Sequence, residues 1–124
     1  MSVLPNTAAT RYIYKDESFD RMKDSALFIN CGRGNAVASD VLYRALSKHK
    51  IAAAAIDVTE VEPLPADSPL WGLDNLVITP HISGFFHLPE TFERIVDIAA
   101  DNLAAYAAGR ELNNVIDFAT GYKK

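Results

Sequence analysis

Disulfides are excluded first. The chain holds a single cysteine, Cys31, so no internal bridge can form, and nothing calls for an oxidising compartment. No apolar stretch reaches membrane-spanning length. The N-terminus lacks the charged-then-apolar layout of a secretory signal, and the location read from these absences is the cytoplasm. Concentrated positive charge is missing too. The net charge is −4, and the only adjacent basic pair is Lys123–Lys124. That argues against a nucleic-acid partner, whose phosphates need a dense basic surface. No metal site is read. What remains is an ordinary soluble composition, 49% hydrophobic and 23% charged. A length of 124 residues suits one domain with a core but is small for a complete cofactor-dependent enzyme.

Short apolar runs alternate with helical patterns. Residues 2–4 read as the last piece of a strand, and Pro5-Asn6-Thr7 as a loop. Asp16 is placed to cap a short helix through residue 23. Residues 26–30 form a buried-type strand that Gly32-Arg33-Gly34 breaks. Ser39 is expected to cap a helix over 40–48, with Val41, Leu42, Ala45 and Leu46 on one face. Residues 51–58 contain four consecutive alanines, which by propensity favour helix. The run is short and lies between a helix and a proline-rich loop, so it is read as a strand against which a helix packs closely. Residues 60–69 are loop, with one turn around Trp71, and 76–79 form a third strand. A long helix over 89–108 should stop at Gly109. Its stripe of Phe92, Ile95, Val96, Ala99, Leu103 and Tyr106 is read as packing.

Strand–helix–strand alternation with continuously apolar strands implies a parallel sheet with flanking helices, an α/β fold. One motif is conspicuously missing. A dinucleotide fold of two βαβ halves carries a G-x-G-x-x-G and a following acidic residue in its first half, and neither is present here. The pattern matches the C-terminal half of a Rossmann-like sheet.

Ligands of open α/β sheets sit beyond the carboxyl ends of the strands. Three such ends carry chemistry. Arg33 follows the first apolar run, Glu62 comes five residues after Asp57 at the end of the second, and His81 follows the third. A fixed cation, a titratable imidazole and a carboxylate to tune it suit acid/base work on a small anion. Taken singly, each has a blander reading: Arg33 as a solvated loop cation, Glu62 as an exposed loop acid, His81 as a core histidine, Asp57 as a turn cap. His49 late in a helix reads as structural. His87 stands in the loop after the third strand and is not assigned to the site. Cys31 reads as a small buried residue rather than a nucleophile.

Four segments in order then carry a family resemblance: Leu4-Pro5-Asn6-Thr7, Asn30-Cys31-Gly32-Arg33-Gly34, the run from Ala55 through Asp57 and Glu62 to Pro65, and the run from Asn75 through His81 to Gly84. Together they resemble the D-isomer-specific 2-hydroxyacid dehydrogenases, to about Asp117. The resemblance implies a partial NAD(P)-binding domain over 1–110 and a tail over 111–124 that returns to the substrate domain in intact relatives. It implies that Arg33 holds the substrate carboxylate, that His81 is the acid/base, and that Glu62 stabilises its protonated form. Thr7, Cys31, Gly32, Arg33, Asp57, His81, Ser83 and Gly84 match positions on the cofactor side, with Asp57 accepting from the nicotinamide carboxamide. The implied cofactor is NAD or NADP, the implied substrate a small 2-hydroxy or 2-keto acid, and the implied assembly a homodimer. Two functional readings follow: a fragment of an oxidoreductase, or a non-catalytic remnant that keeps the half-fold without binding dinucleotide.

Overall fold

The computed structural model describes residues 1–84, 86 and 88–123. His87 lies outside the described residues. The chain divides into two compact units, Met1–Ser83 and Gly84–Lys124. The domain boundary expected after residue 110 falls inside the second unit.

In the first unit, β1 (Leu27–Asn30), β2 (Ala53–Ile56) and β3 (Leu76–Ile78) form a parallel sheet in that order. Residues Phe28, Ala54 and Leu76 stand in register, as do Asn30, Ile56 and Ile78. Side chains alternate across a strand. This row of positions therefore faces one side, where Phe28, Asn30, Ala54 and Ile56 are buried. Helix α2 (Ser39–Ser47) supplies Leu42, Ala45 and Leu46 to the same core. Phe19, from α1 (Asp16–Asp20), meets Phe28 edge-on with ring centroids 5.3 Å apart. The alanine-rich run is indeed the central strand. Small side chains on both sides of β2 leave room for the neighbours that packing requires. The opposite sheet face is open: Leu27 and Val77 are 66% and 62% exposed.

The expected strand at residues 2–4 is a single bridge. Ser2 N–H donates to Ile29 O at 2.7 Å, and Cys31 N–H donates to Ser2 O at 3.0 Å. Both expected helix caps differ by one residue. Asp16 is the first helical residue, with Lys15 before it, and its carboxylate pairs with Arg44 at 2.7 Å instead of capping. This helix ends at Asp20 rather than 23. Ser39 is likewise inside α2, behind Ala38. Its backbone N–H donates to Glu60 Oε2 at 2.8 Å, so a carboxylate from the next strand-end loop satisfies that helix start.

The second unit holds α3 (Pro89–Ala107) and a two-stranded antiparallel ribbon, β4 (Ile116–Asp117) with β5 (Tyr122–Lys123). Gly109 adopts φ +64 just beyond the helix, the left-handed stop expected of it. The ribbon was not expected. Gly121, at φ +73, closes its turn by donating its N–H to Asp117 O at 2.7 Å. The α3 stripe, expected to pack, is exposed: Phe92 by 56% and Tyr106 by 76%. A unit this short has too little chain to wrap a core around it.

Candidate active site

The loop after β1 is shaped by Asn30, a fully buried side chain. Its Oδ1 accepts from Gly32 N–H at 3.2 Å and its Nδ2 donates to Arg33 O at 3.1 Å. The turn that presents Arg33 is thus bonded from within. The Arg33 guanidinium donates one bond, from Nη1 to Gly32 O at 2.9 Å. Gly34 then passes hard against the β2 loop. A Cβ there would lie 1.8 Å from Thr59 O, so the Arg33 and Glu62 loops approach backbone to backbone.

Glu60 locks this junction. Its Oε1 accepts from Tyr12 O–H at 2.7 Å, while its Oε2 takes the α2 N–H described above. These two bonds hold the Glu60 carboxyl below its ordinary range, the Tyr12 contribution being the larger. Two residues on, Glu62 Oε1 accepts from Thr59 N–H at 3.0 Å, and Glu62 Oε2 lies 2.8 Å from His81 Nδ1. Burial pushes the Glu62 carboxyl up, but the hydrogen bonds of His81 and Thr59 and the charges of His81 and Arg33 outweigh it. The net shift is downward. A carboxylate can only accept here, which assigns the His81 Nδ1 proton to this bond and leaves Nε2 for other work.

Asp57 performs a different task from the ones around it. It is 4% exposed, and its two oxygens accept four bonds from the loop after β3. Thr79 Oγ1–H and Ile82 N–H donate to Oδ1 at 2.5 and 2.9 Å, and Ser83 N–H and Oγ–H donate to Oδ2 at 2.9 and 2.7 Å. Four acceptor sites are what a carboxylate has. The turn they staple contains His81, itself at φ +54, a left-handed conformation uncommon outside glycine though more open to histidine than to most residues. Burial raises the Asp57 pKa, and the four bonds more than reverse that, leaving it far below the usual carboxylate range. A depressed folded-state value stabilises the fold fully above the unfolded value of about 4, and that contribution is lost as pH falls through the folded value. Asp57→Asn is therefore expected to cost about 2 kcal/mol at pH 7, because an amide nitrogen would face N–H and O–H donors. It should also flatten the loss of stability below about pH 4. Urea unfolding from neutral to acid pH measures both, and an unchanged midpoint at pH 7 would rule the staple out.

Arg33, Glu62 and His81 line one cavity of about 180 Å³ at the carboxyl edge of the sheet, with Asn6, Asn35 and Glu60 completing its rim. The Glu62–His81 separation falls at the roughly 3 Å that an acid/base pair requires. Thr7 lies in the loop after Ser2, where its backbone N–H donates to Thr10 Oγ1 at 2.9 Å. Cys31 is half-buried. Gly32 presses on the first loop, since a Cβ there would meet Leu4 N at 2.6 Å. Ser83 closes the first unit and Gly84 opens the second. Asn30 and Glu60, which build the loops, were missed by the sequence reading. A buried-strand asparagine two residues before glycine was the available signal for the first; nothing local marks the second.

Comparison with known proteins bears on the family and the fold. Residues 1–83 match the model of the D-isomer specific 2-hydroxyacid dehydrogenase NAD binding domain. Over 115 residues the chain is 44% identical to glyoxylate/hydroxypyruvate reductase B of Escherichia fergusonii, covering 93% of this chain and 35% of that protein. It is 40% identical to an uncharacterised protein of Corynebacterium melassecola, covering 97% of this chain and 39% of the relative. The chain thus spans little more than a third of the length of these curated relatives. A D-isomer specific 2-hydroxyacid dehydrogenase from Xanthobacter autotrophicus, solved with NADPH and MES, superposes with a TM-score of 0.82 at 38% identity, over 97% of this chain and 48% of that one. Sequence, fold and the matched domain agree, and the chain belongs to the D-isomer specific 2-hydroxyacid dehydrogenases.

Proposed function

We propose that this chain is the acid/base segment of an oxidoreductase that moves a hydride between NAD or NADP and a D-2-hydroxy acid/2-keto acid pair. The observation that carries the reading is the shared cavity of Arg33, Glu62 and His81. Arg33 binds the substrate carboxylate through its planar fork. His81 Nε2 gives a proton to the carbonyl oxygen in reduction and takes it back in oxidation. Glu62, bonded to Nδ1, orients the ring. The nicotinamide, when bound, supplies or accepts the hydride.

The residues present fit one end of that cofactor. Thr7, Cys31 and Gly32 would line the nicotinamide; Asp57, expected to accept from its carboxamide, has all four acceptor sites filled by Thr79, Ile82 and Ser83 and would shape that wall instead. The pyrophosphate end has no matching cradle among the described residues. Of the helix starts, α1 opens on Asp16 and Glu17, α3 on Pro89-Glu90, and the start of α2 already holds the Glu60 carboxylate. Each of these repels an anion where one would otherwise bind. This favours, for the chain alone, the second reading of a half-fold that does not bind dinucleotide. In the first reading, residues 1–110 form a partial NAD(P)-binding domain in a cytoplasmic protein and 111–124 return to the substrate domain. Exposed apolar residues of α3 support assembly as a homodimer. Among the described residues, no helix is long and apolar enough to cross a membrane.

Calorimetric titration of the 124-residue chain with NADH and NADPH is expected to show weak binding or none. Tight binding of either would mean a cradle exists in residues given other roles here. Joined behind the N-terminal part of the E. fergusonii reductase, the chain should support reduction of hydroxypyruvate by NADH or NADPH. A folded but inactive chimera would favour the non-catalytic reading.

A further inference from the structure

A second cavity adjoins the first. It measures about 550 Å³ and shares Thr59, Glu62 and His81 with the smaller one. Its other walls are apolar, with Pro63, Leu64, Trp71, Ile78 and Pro80 foremost. The size is that of a small-molecule site, and such sites are mostly apolar with a few placed polar groups. The hydroxyl and indole donors on this wall are already used, as are the acceptor sites of Asp57. Asp57 accepts four bonds, Glu62 accepts from Thr59 and His81, and Thr79 Oγ1–H donates to Asp57. Thr59 Oγ1–H donates to Val61 O at 2.7 Å, and the Trp71 indole N–H donates to Pro65 O at 2.9 Å. A ligand group entering here finds mostly hydrocarbon, an imidazole edge and acceptor oxygens of Glu62, Thr59 and Thr79, and no donor left over from Trp71. Ionised Asp57 and Glu62 also repel a second carboxylate from it. The smaller cavity has the opposite character, with the Arg33 guanidinium as its cation.

We infer that the apolar cavity receives the hydrocarbon side chain of a 2-oxo acid whose carboxylate sits on Arg33. The inference rests on the function proposed above and narrows the substrate class to 2-oxo acids with a branched aliphatic or aryl side chain. The two cavities divide the substrate between them. The carboxylate enters the polar one, the side chain lies along Trp71, and the carbonyl stands at His81, which both share.

Trp71 is the sole tryptophan, so its indole N–H gives one nitrogen–proton NMR signal, and the Gly34 amide reports the Arg33 side. The 124-residue chain is titrated with 4-methyl-2-oxopentanoate and with glyoxylate. The branched acid should move both signals and bind at least about tenfold tighter than glyoxylate, which should move Gly34 alone. Trp71→Ala should weaken the branched acid and leave glyoxylate unchanged; at 55% exposed, this side chain is not needed for the core. Arg33→Ala should abolish binding of both acids. If the branched acid moves Gly34 but not Trp71, and binds no tighter than glyoxylate, the cavity assignment is overturned while the Arg33 site stands. If the branched acid still moves Trp71 in Arg33→Ala, the cavity is a separate apolar site and the division of one substrate is overturned. If neither acid moves Gly34, the inference is overturned, and the chimera described above decides the proposed function separately.

Discussion

An alanine at position 34 is expected to destabilise the first unit by about 3 kcal/mol, the upper end of what overpacking usually costs. The reason is what the added methyl would meet. Its carbon would stand 1.8 Å from Thr59 O, 2.1 Å from Thr59 C and 2.7 Å from Glu60 N, all backbone atoms. A flexible side chain could swing aside; this loop cannot. Glu60 is tied to Tyr12 and to the start of α2, and Asp57, two residues before Thr59, is tied to the β3 loop. Relief must come from moving the Arg33 loop away from the Glu62 loop, so the cavity should open as the fold weakens. Gly72→Ala is the control, since a methyl there meets nothing within 4 Å. Urea unfolding of both variants decides the matter. Equal midpoints for Gly34→Ala and the parent would mean the loops are not pressed together as described.

The fold was legible where the signal is local and repeated. Three short apolar runs between helices and loops mark three strands, and the α2 pattern puts Leu42, Ala45 and Leu46 in the core. The alanine run is a strand despite its helical propensity because its neighbours, a helix before and a proline-rich loop after, fix its context. Boundaries that depend on distant partners were not legible. Ser39 carries the right side chain for a cap, yet a carboxylate 21 positions along the chain takes its N–H. Asp16 fails as a cap for the same kind of reason, because Arg44 from α2 competes for it. The meeting of Arg33, Glu62 and His81 followed from topology: successive parallel strands put their C-terminal loops on one edge. Asp57 shows the limit of that logic. Its position at the edge was evident, but its saturation by Thr79, Ile82 and Ser83 depends on a turn that no periodicity encodes. The α3 stripe shows another limit. An amphipathic pattern records that a face needs covering, not which chain segment covers it.

In a complete enzyme carrying this segment, His81→Ala should lower reduction of 2-keto acids by about 10²–10⁴-fold, the usual contribution of a positioned acid/base group. The developing alkoxide would lose its proton donor while Arg33 continued to hold the carboxylate, so the loss should fall on kcat far more than on KM. Glu62→Gln should act differently. The amide keeps the size of the side chain but not the charge that faces His81 Nδ1 across 2.8 Å. The ring then loses the charged partner that fixes its orientation, so kcat should fall by less than in His81→Ala while KM changes little. Arg33→Lys keeps the positive charge and removes the planar fork, so it should chiefly raise KM, with a smaller loss in kcat from poorer alignment. Steady-state kinetics separates the three signatures. If His81→Ala turned over the keto acid as fast as the parent, the proton would be coming from elsewhere, and the Glu62–His81 pair would be a structural contact that merely lies at the right edge of the sheet.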